Sequence, residues 1–479
     1  MELIFIAVLI ITAIASYFAR RIKVAQTLSV IAALASFVCV FGIAIKVSND
    51  GNYSPFKFIY VDSLGAIIML IIATVGLAAI IYSIAYLGTE LKKKIIDTKQ
   101  IRLYFALVNL FLAAMYLAVS SSSPIFTWVC VEATTLSTAL LISYYNKPSA
   151  MEAAWKYLII NSIGLLLGFF GTLLYFTVSH TIAAGEFVTW QSLIANASTL
   201  NPVMTKVAFI FVLVGYGTKA GLAPMHTWIP DAHSKAPSPV SALLSGVLLN
   251  VAMYVIIRFK TVTDIIVGPD FASRLLVIFG AMSVVFAAII IVNQLHYKRM
   301  MAYSSVENMG IIALGFGFGG IAAVAAISHM IYHALIKSSL FFSSGNLMLK
   351  YSTGHIKLVK GVLKAAPITG VLLLTSVLAI TGMPPFGIFF SEFFTFTGGI
   401  DKYPAVVVIV IAAIAVLFIG FMRNTGSMLF GDKPKDIKVG EKNIWLIVPP
   451  AVMVLLALIL SFYMPPFIQT LIHNAAGQI

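Results

Sequence analysis

Gly215-Tyr-Gly-Thr-Lys219-Ala-Gly221-Leu-Ala-Pro224-Met-His226-Thr-Trp228-Ile-Pro230-Asp231 sets a lysine inside an apolar stretch that its own glycines and proline interrupt. A charge at the bilayer centre costs about 2.5–3.5 kcal/mol even on insertion scales, and a helix break frees backbone groups that need partners. Together they predict a broken membrane helix retained for use. A second stretch repeats the theme: Ile380-Thr-Gly382-Met-Pro384-Pro385-Phe-Gly387, followed by Glu392. Paired broken helices in two halves point to an inverted-repeat transporter.

The composition agrees. Hydrophobic residues are 60% of the 479 and charged ones 10%, against about 25% charged in a soluble domain. Apolar runs about 20 residues long begin near Leu3, Ala25, Ser63, Ile101, Pro124, Ala154, Val203, Ser238, Leu275, Met300, Ile321, Pro367, Pro404 and Ile444. The expected fold is therefore an all-α polytopic membrane protein of about 14 transmembrane helices, with two inverted five-helix repeats and two broken helices. It divides into three N-terminal helices (1–100), a first repeat (101–260), a second (271–430) and a C-terminal helix (443–479), all in one membrane domain.

The net charge of +14 does not predict a nucleic-acid partner. With the Arg20, Arg21, Lys23 loop inside, 22 of the 31 Lys and Arg, Lys442 among them, fall in inner loops and seven in outer ones. That asymmetry is the positive-inside signature of a cell membrane protein, and an even span count puts both termini outside. Met1–Phe18 carries Glu2 rather than a basic region at its start and is followed by Arg20, Arg21 and Lys23, so it reads as a retained first span rather than a cleaved signal. Cys39 and Cys130 are the two cysteines, too few for an iron-sulfur cluster or a Cys-based zinc site. No metal site or catalytic centre is expected in this chain, and any redox chemistry belongs to a partner.

Three offsets suggest duplication: Glu132 to Glu307 is 175 residues, Trp155-Lys-Tyr157 to Met330-Ile-Tyr332 is similar, and Lys219 to Glu392 is 173. Glu132 lies eight residues past Pro124, near mid-membrane at about 1.5 Å rise per residue. It is either a structural carboxylate or the switchable partner of Lys219, which desolvation drives to release its proton when the glutamate turns away. His329, His333 and Lys337 recur every four residues on one helix stripe, either as a ladder of proton carriers or as polar packing against a neighbour. The two histidines lack the intervening glutamate of a zinc motif.

Glu392 is a carrier or the cap of a half-helix. His226, Asp231, His233 and Lys235 form an inner proton funnel or simply a solvated loop. Glu307 and Asn308 are shallow enough to pair with Lys298 and Arg299.

The segments GTKAGLAPMHTWIPDAHSKAPSPVSALLSG (217–246), KRMMAYSSVENMG (298–310) and HMIYHALIKSSLFFSSGN (329–346) resemble the antiporter-like subunits shared by respiratory complex I, Mrp cation/proton antiporters and energy-converting hydrogenases. The resemblance covers essentially the whole chain. Its wording is most similar to the membrane subunit of group 4 [NiFe] hydrogenases of the hydrogenase-4 and formate hydrogenlyase type. It implies proton transfer through Glu132, Lys219, His329, His333, Lys337 and Glu392 along a hydrated axis. It also implies sister antiporter-like subunits and a soluble redox module carrying nickel-iron and iron-sulfur centres. Two positions depart: Asn250 stands where many relatives have a lysine, and His296 where an acid is common. With the fourteenth apolar run close to residue 479, the expectation is a subunit without the long lateral helix of the distal complex I subunit. The competing expectations are a Na⁺/H⁺ antiporter module, a complex I subunit, and a scaffold that transports nothing.

Overall fold

The computed structural model describes residues 4–177, 188–441 and 443–479. Glu2 and Lys442, used in the first-span and charge readings, lie outside the described residues. The chain is almost wholly helical: α1 (Ile4–Phe18), α2 (Ile22–Asp50), α3 (Ser63–Lys92), α4 (Thr98–Ser120), α5 (Pro124–Ile142), α6 (Pro148–Thr177), α7 (Trp190–Ala195), α8 (Pro202–Ala220), α9 (Trp228–Lys235), α10 (Ser238–Leu243), α11 (Leu249–Val267), α12 (Pro269–Ile291), α13 (Tyr297–Phe318), α14 (Ile321–Tyr351), α15 (Val362–Ala365), α16 (Pro367–Ile380), α17 (Gly387–Gly399), α18 (Pro404–Leu429), α19 (Val448–Phe462) and α20 (Pro466–Gly477).

Long apolar runs make these helices, and local chemistry sets their ends. Asp62 caps α3 by accepting from the Gly65 amide at 2.9 Å, and Asp97 and Gln100 form a reciprocal capping box on α4. Proline opens α5, α8, α12, α16, α18 and α20, where its missing N–H costs nothing. Among the described residues, ten helical stretches are long and apolar enough to cross a membrane. The other four of the fourteen apolar runs fold as the short α1, the polar-threaded α13, the α16–α17 pair, and α19–α20, which bend by 75°.

Both sequence breaks are real. α8 stops at Gly221 (φ +79°) and the chain resumes as α9; α16 stops before Gly382 (φ +69°) and resumes as α17. The left-handed conformation at each suits glycine. Nearby groups satisfy the freed backbone: Trp228 Nε1 donates to the Thr218 carbonyl at 2.8 Å, the Ala223 amide to Ser283 Oγ at 2.8 Å, and the Gly387 amide to Ser461 Oγ at 2.7 Å.

The two breaks correct one of the offsets. Gly221 and Gly382 are 161 residues apart, each followed within three residues by a proline. Lys219 precedes its break by two residues, whereas Glu392 follows its break by ten, so their 173-residue spacing does not relate equivalent positions. Ten residues past Gly221 stands Asp231. The register differs from the 175 of Glu132 and Glu307 because the first half carries a longer connection, with α7, before its broken helix.

Helices approach closely where side chains vanish. A Cβ on Gly280 of α12 would lie 2.7 Å from the Gly310 carbonyl of α13, and one on Gly310 equally close to that of Gly280, the small-residue contact that drives packing in lipid. The centre of the bundle is α10–α11, joined by a π-helical turn at Leu244–Leu248 and buried throughout its apolar window.

Loops sort onto two ends. One end gathers Lys93, Lys147, Lys235, Lys298 and Gly354 around a common cleft. The other holds a small hairpin (β1, Asn52–Tyr53; β2, Val61–Asp62), whose neighbours Phe58 and Tyr60 bond to Ser122 and Ser120, while Trp190 bonds to Ser122.

Candidate functional site

The first constellation joins α5, α6 and α8. Lys219, on the last turn before the break, is fully buried. Its ammonium donates to Thr135 Oγ1 at 2.8 Å and to the Tyr157 hydroxyl at 2.7 Å, and it lies 4.8 Å from the Tyr157 ring centroid. Tyr157 shares a further 2.6 Å hydrogen bond with Thr138, and its ring meets Trp228 edge-on at 5.0 Å. Glu132 accepts from Ser162 at 3.0 Å through Oε1, while Oε2 is buried without a protein partner. Glu132 and Lys219 form no ion pair within 4.0 Å. The structure thus holds the lysine on neutral hydroxyls, with the carboxylate turned to Ser162.

The second constellation runs between α13, α14 and α17. Lys337 donates to the Met301 carbonyl at 2.8 Å and to Ser304 Oγ. Glu307 is bonded by its neighbour Asn308. Asn308 Oδ1 is 3.0 Å from His329 Nε2, and His329 Nδ1 is 2.9 Å from Ser391 Oγ. Glu392, the next residue, presses its carboxylate against Gly382, where a Cβ would overlap it, and its Oε1 has no protein partner. An unbroken string of hydrogen bonds therefore links Glu307 through Asn308 and His329 to Ser391. It ends beside the second broken helix.

The α14 stripe is buried as expected, but it is not continuous. His329 and His333 stack with ring centroids 6.5 Å apart, and neither ring nitrogen of His333 meets a protein partner. Asn250, on the central helix, donates to the Gly246 and Met330 carbonyls at 3.0 and 3.3 Å and leaves its own Oδ1 unpartnered. Buried polar atoms of this kind are where ordered water binds.

The four residues after the first break do not form one cluster. Asp231 pairs with Arg299 at 2.6 Å and Lys156 at 3.6 Å. Lys235 lines the basic cleft. His233 is buried between Trp228 and Phe341, and His226 sits beside Phe286 and Tyr303. Nor does Glu307 reach the bases near it in sequence: Arg299 is engaged with Asp231, Lys298 donates to the Ala236 carbonyl at 2.7 Å, and Glu307 is only 1% exposed. The helical turn points it inward.

Residues 121–418 match the family described as NADH:quinone oxidoreductase/Mrp antiporter, TM. The chain belongs to this family. It is 35% identical over 440 residues to a hydrogenase-4 component F homolog of Methylacidiphilum infernorum, covering 91% of this chain and 88% of that one. It is 28% identical over 455 residues to a Na(+)/H(+) antiporter subunit of Alkalihalophilus pseudofirmus, across 88% of this chain and 54% of that longer one. In fold it is similar to a chain of the membrane-bound sulfane sulfur reductase, an archaeal respiratory membrane complex, with a TM-score of 0.88 at 23% identity over 100% of this chain and 97% of that chain. The antiporter family match spans all six residues of the expected transfer set, and both constellations fall within it. Among the described residues, no three His, Cys, Asp or Glu side chains come together as a metal site.

Proposed function

We propose that this chain is a proton-translocating, antiporter-like subunit of a redox-driven membrane complex, most akin to an energy-converting [NiFe] hydrogenase. Glu132 and Lys219 act as the input pair, His329, His333 and Lys337 as the relay, and Glu392 as the terminal carrier. His226, Asp231, His233, Lys235, Asn250 and Glu307 are accessory groups. The observation that carries this is the Glu307–Asn308–His329–Ser391 string, which runs from a buried carboxylate on α13 through a histidine on the helix of buried Lys337 to the residue before Glu392 in the second broken helix. Intramembrane ionisable groups default to function, and this string gives them a route.

Moving a proton against the membrane potential costs about 2.3 kcal/mol per 100 mV. The energy comes from a soluble redox module whose own subunits hold nickel-iron and iron-sulfur centres, with sister membrane subunits beside this one. The basic end faces the cytoplasm of a prokaryotic cell, and both termini face out. The repeats are 101–260 and 271–430, flanked by 1–100 and 443–479.

The similarity to a Na(+)/H(+) antiporter favours one second reading, in which Na⁺ is exchanged for H⁺. Two measurements decide. Chains that purify with this one should include one with paired Cys-x-x-Cys motifs suited to nickel. Redox-linked acidification of vesicles should also be indifferent to sodium; dependence on a Na⁺ gradient selects the antiporter instead.

A further inference from the structure

Two buried carboxylates, Asp62 and Glu90, stand outside both constellations and outside the family match, and of the two Glu90 opens onto a cleft. Glu90, on the last turn of α3, is 3% exposed, yet it lines the cleft of about 480 Å³ at the basic end. Its Oε1 accepts from the Tyr145 hydroxyl at 2.7 Å, and that hydroxyl lies 3.2 Å from the hydroxyl of Tyr86. Lys298, 4% exposed, lines the same cleft, with Lys93, Lys147, Lys235 and Arg299 around it. At roughly 30 Å³ per water, such a space holds on the order of ten waters in contact with a single acid.

From the cleft the polar groups continue inward along α13. Lys298, Met301, Ser304 and Asn308 recur at three- and four-residue spacing, so they share one stripe. Lys337 docks on that stripe, at the Met301 carbonyl and Ser304, roughly 5–9 Å of helix rise from Lys298. Buried His233 lies with its ring 5.6 Å from that of Phe341, one turn beyond Lys337 on α14, and Lys298 donates to the Ala236 carbonyl at the end of His233's own helix, so His233 stands beside the same stretch. Farther along, the stripe reaches Asn308 and the string to Ser391.

We propose that this cleft is the port through which protons reach the second relay from the basic face, with Glu90 as the group that loads them and Lys298 and His233 as steps toward Lys337. Glu90 takes a proton from cleft water, becomes the neutral acid, passes that proton inward and returns to carboxylate, so the chain is unchanged after each cycle. The inference rests on the transport function proposed above. An anchoring role for Glu90, as acceptor for Tyr145 and counter-charge to the lysines, predicts something different: the isosteric amide would serve nearly as well.

The test uses the whole complex in inverted vesicles, comparing Glu90→Gln, Glu90→Asp and Lys337→Ala. Glu90→Gln keeps an oxygen for Tyr145 but holds no exchangeable carboxyl proton. Its redox-linked acidification should fall about tenfold or more, the scale of losing a positioned acid–base group, with the deficit greatest at alkaline pH, and Glu90→Asp should recover most of it. Full acidification by Glu90→Gln, with Lys337→Ala abolishing it, overturns the port alone; full acidification by both overturns the transport function beneath it. If Glu90→Gln fails to assemble, Tyr145→Phe serves, and an unmoved pH profile there overturns the port.

Discussion

The hydroxyl of Tyr157 accepts a hydrogen bond from the buried ammonium of Lys219 at 2.7 Å, and the same ring lies 4.8 Å beneath that charge. A tyrosine on α6 thereby decides how a lysine at the end of α8 is held while Glu132 is turned to Ser162. Tyr157→Phe keeps the ring and removes one of two side-chain acceptors. A hydrogen bond to a charged group contributes about 1.5–3 kcal/mol, so the lysine's charged form should be disfavoured by tenfold or more. Acidification rates at matched redox turnover should drop accordingly; an unchanged rate leaves the tyrosine as packing only.

Asn308 and Ser391 grip the two nitrogens of His329. Either Asn308→Ala or Ser391→Ala interrupts the string, so each should slow proton transfer while the complex still assembles. Because both act on one route, the double variant should be no slower than the worse single one. Losses that simply add would place the two residues on independent paths.

At the end away from the cleft, Asp62 caps α3 and also meets Arg258 at 2.6 Å, with both side chains largely buried. Asp62→Ala strands the guanidinium, and breaking a buried pair this way costs about 3–5 kcal/mol. The purified complex should melt at a clearly lower temperature. Asp62→Asn, which can still accept at the cap, should lose less; equal melting of Asp62→Ala and the unaltered protein contradicts the structural role of the pair.

The rings of His296 and His355 meet across the α12–α13 and α14–α15 junctions, tilted by 43° with centroids 3.9 Å apart. Partial burial pushes the His296 imidazole below its ordinary value, and the neighbouring charges of His355, Lys235 and Arg299 act the same way. The folded contact thus favours the neutral ring. Its stability is complete above the unfolded value of about 6.5 and declines as pH falls below it. Protection factors of the amides in 352–358, which correct for the intrinsic slowing of exchange in acid, should fall on acidification through that range, and His296→Asn should flatten the response.

How much of this was legible beforehand depends on the scale of the feature. Glycine and proline within apolar runs located both breaks, because a break in lipid has few other chemical signatures. Lys219, His329, His333, Lys337 and Glu392 are buried, as intramembrane groups should be, and Glu132 is partly so. Their partners were not legible. Ser391 and Thr135 become ligands only through the rotation of one helix against another, which no single-chain periodicity records. Asp231 looked like part of a funnel but is fixed by Arg299 and Lys156, brought from α13 and α6 by packing. Glu90 was hidden for the opposite reason: it stands beside a run of lysines and reads as loop polarity, whereas the end of α3 turns it into the bundle.

The most direct measurement compares the assembled complex carrying Lys219→Ala or Glu132→Gln with the unaltered one, following redox-linked acidification inside inverted vesicles and electron transfer with a protonophore present. Acidification should collapse in both variants while uncoupled electron transfer persists. Acidification at the unaltered rate, in a variant shown to be assembled, contradicts a proton path through the broken helix.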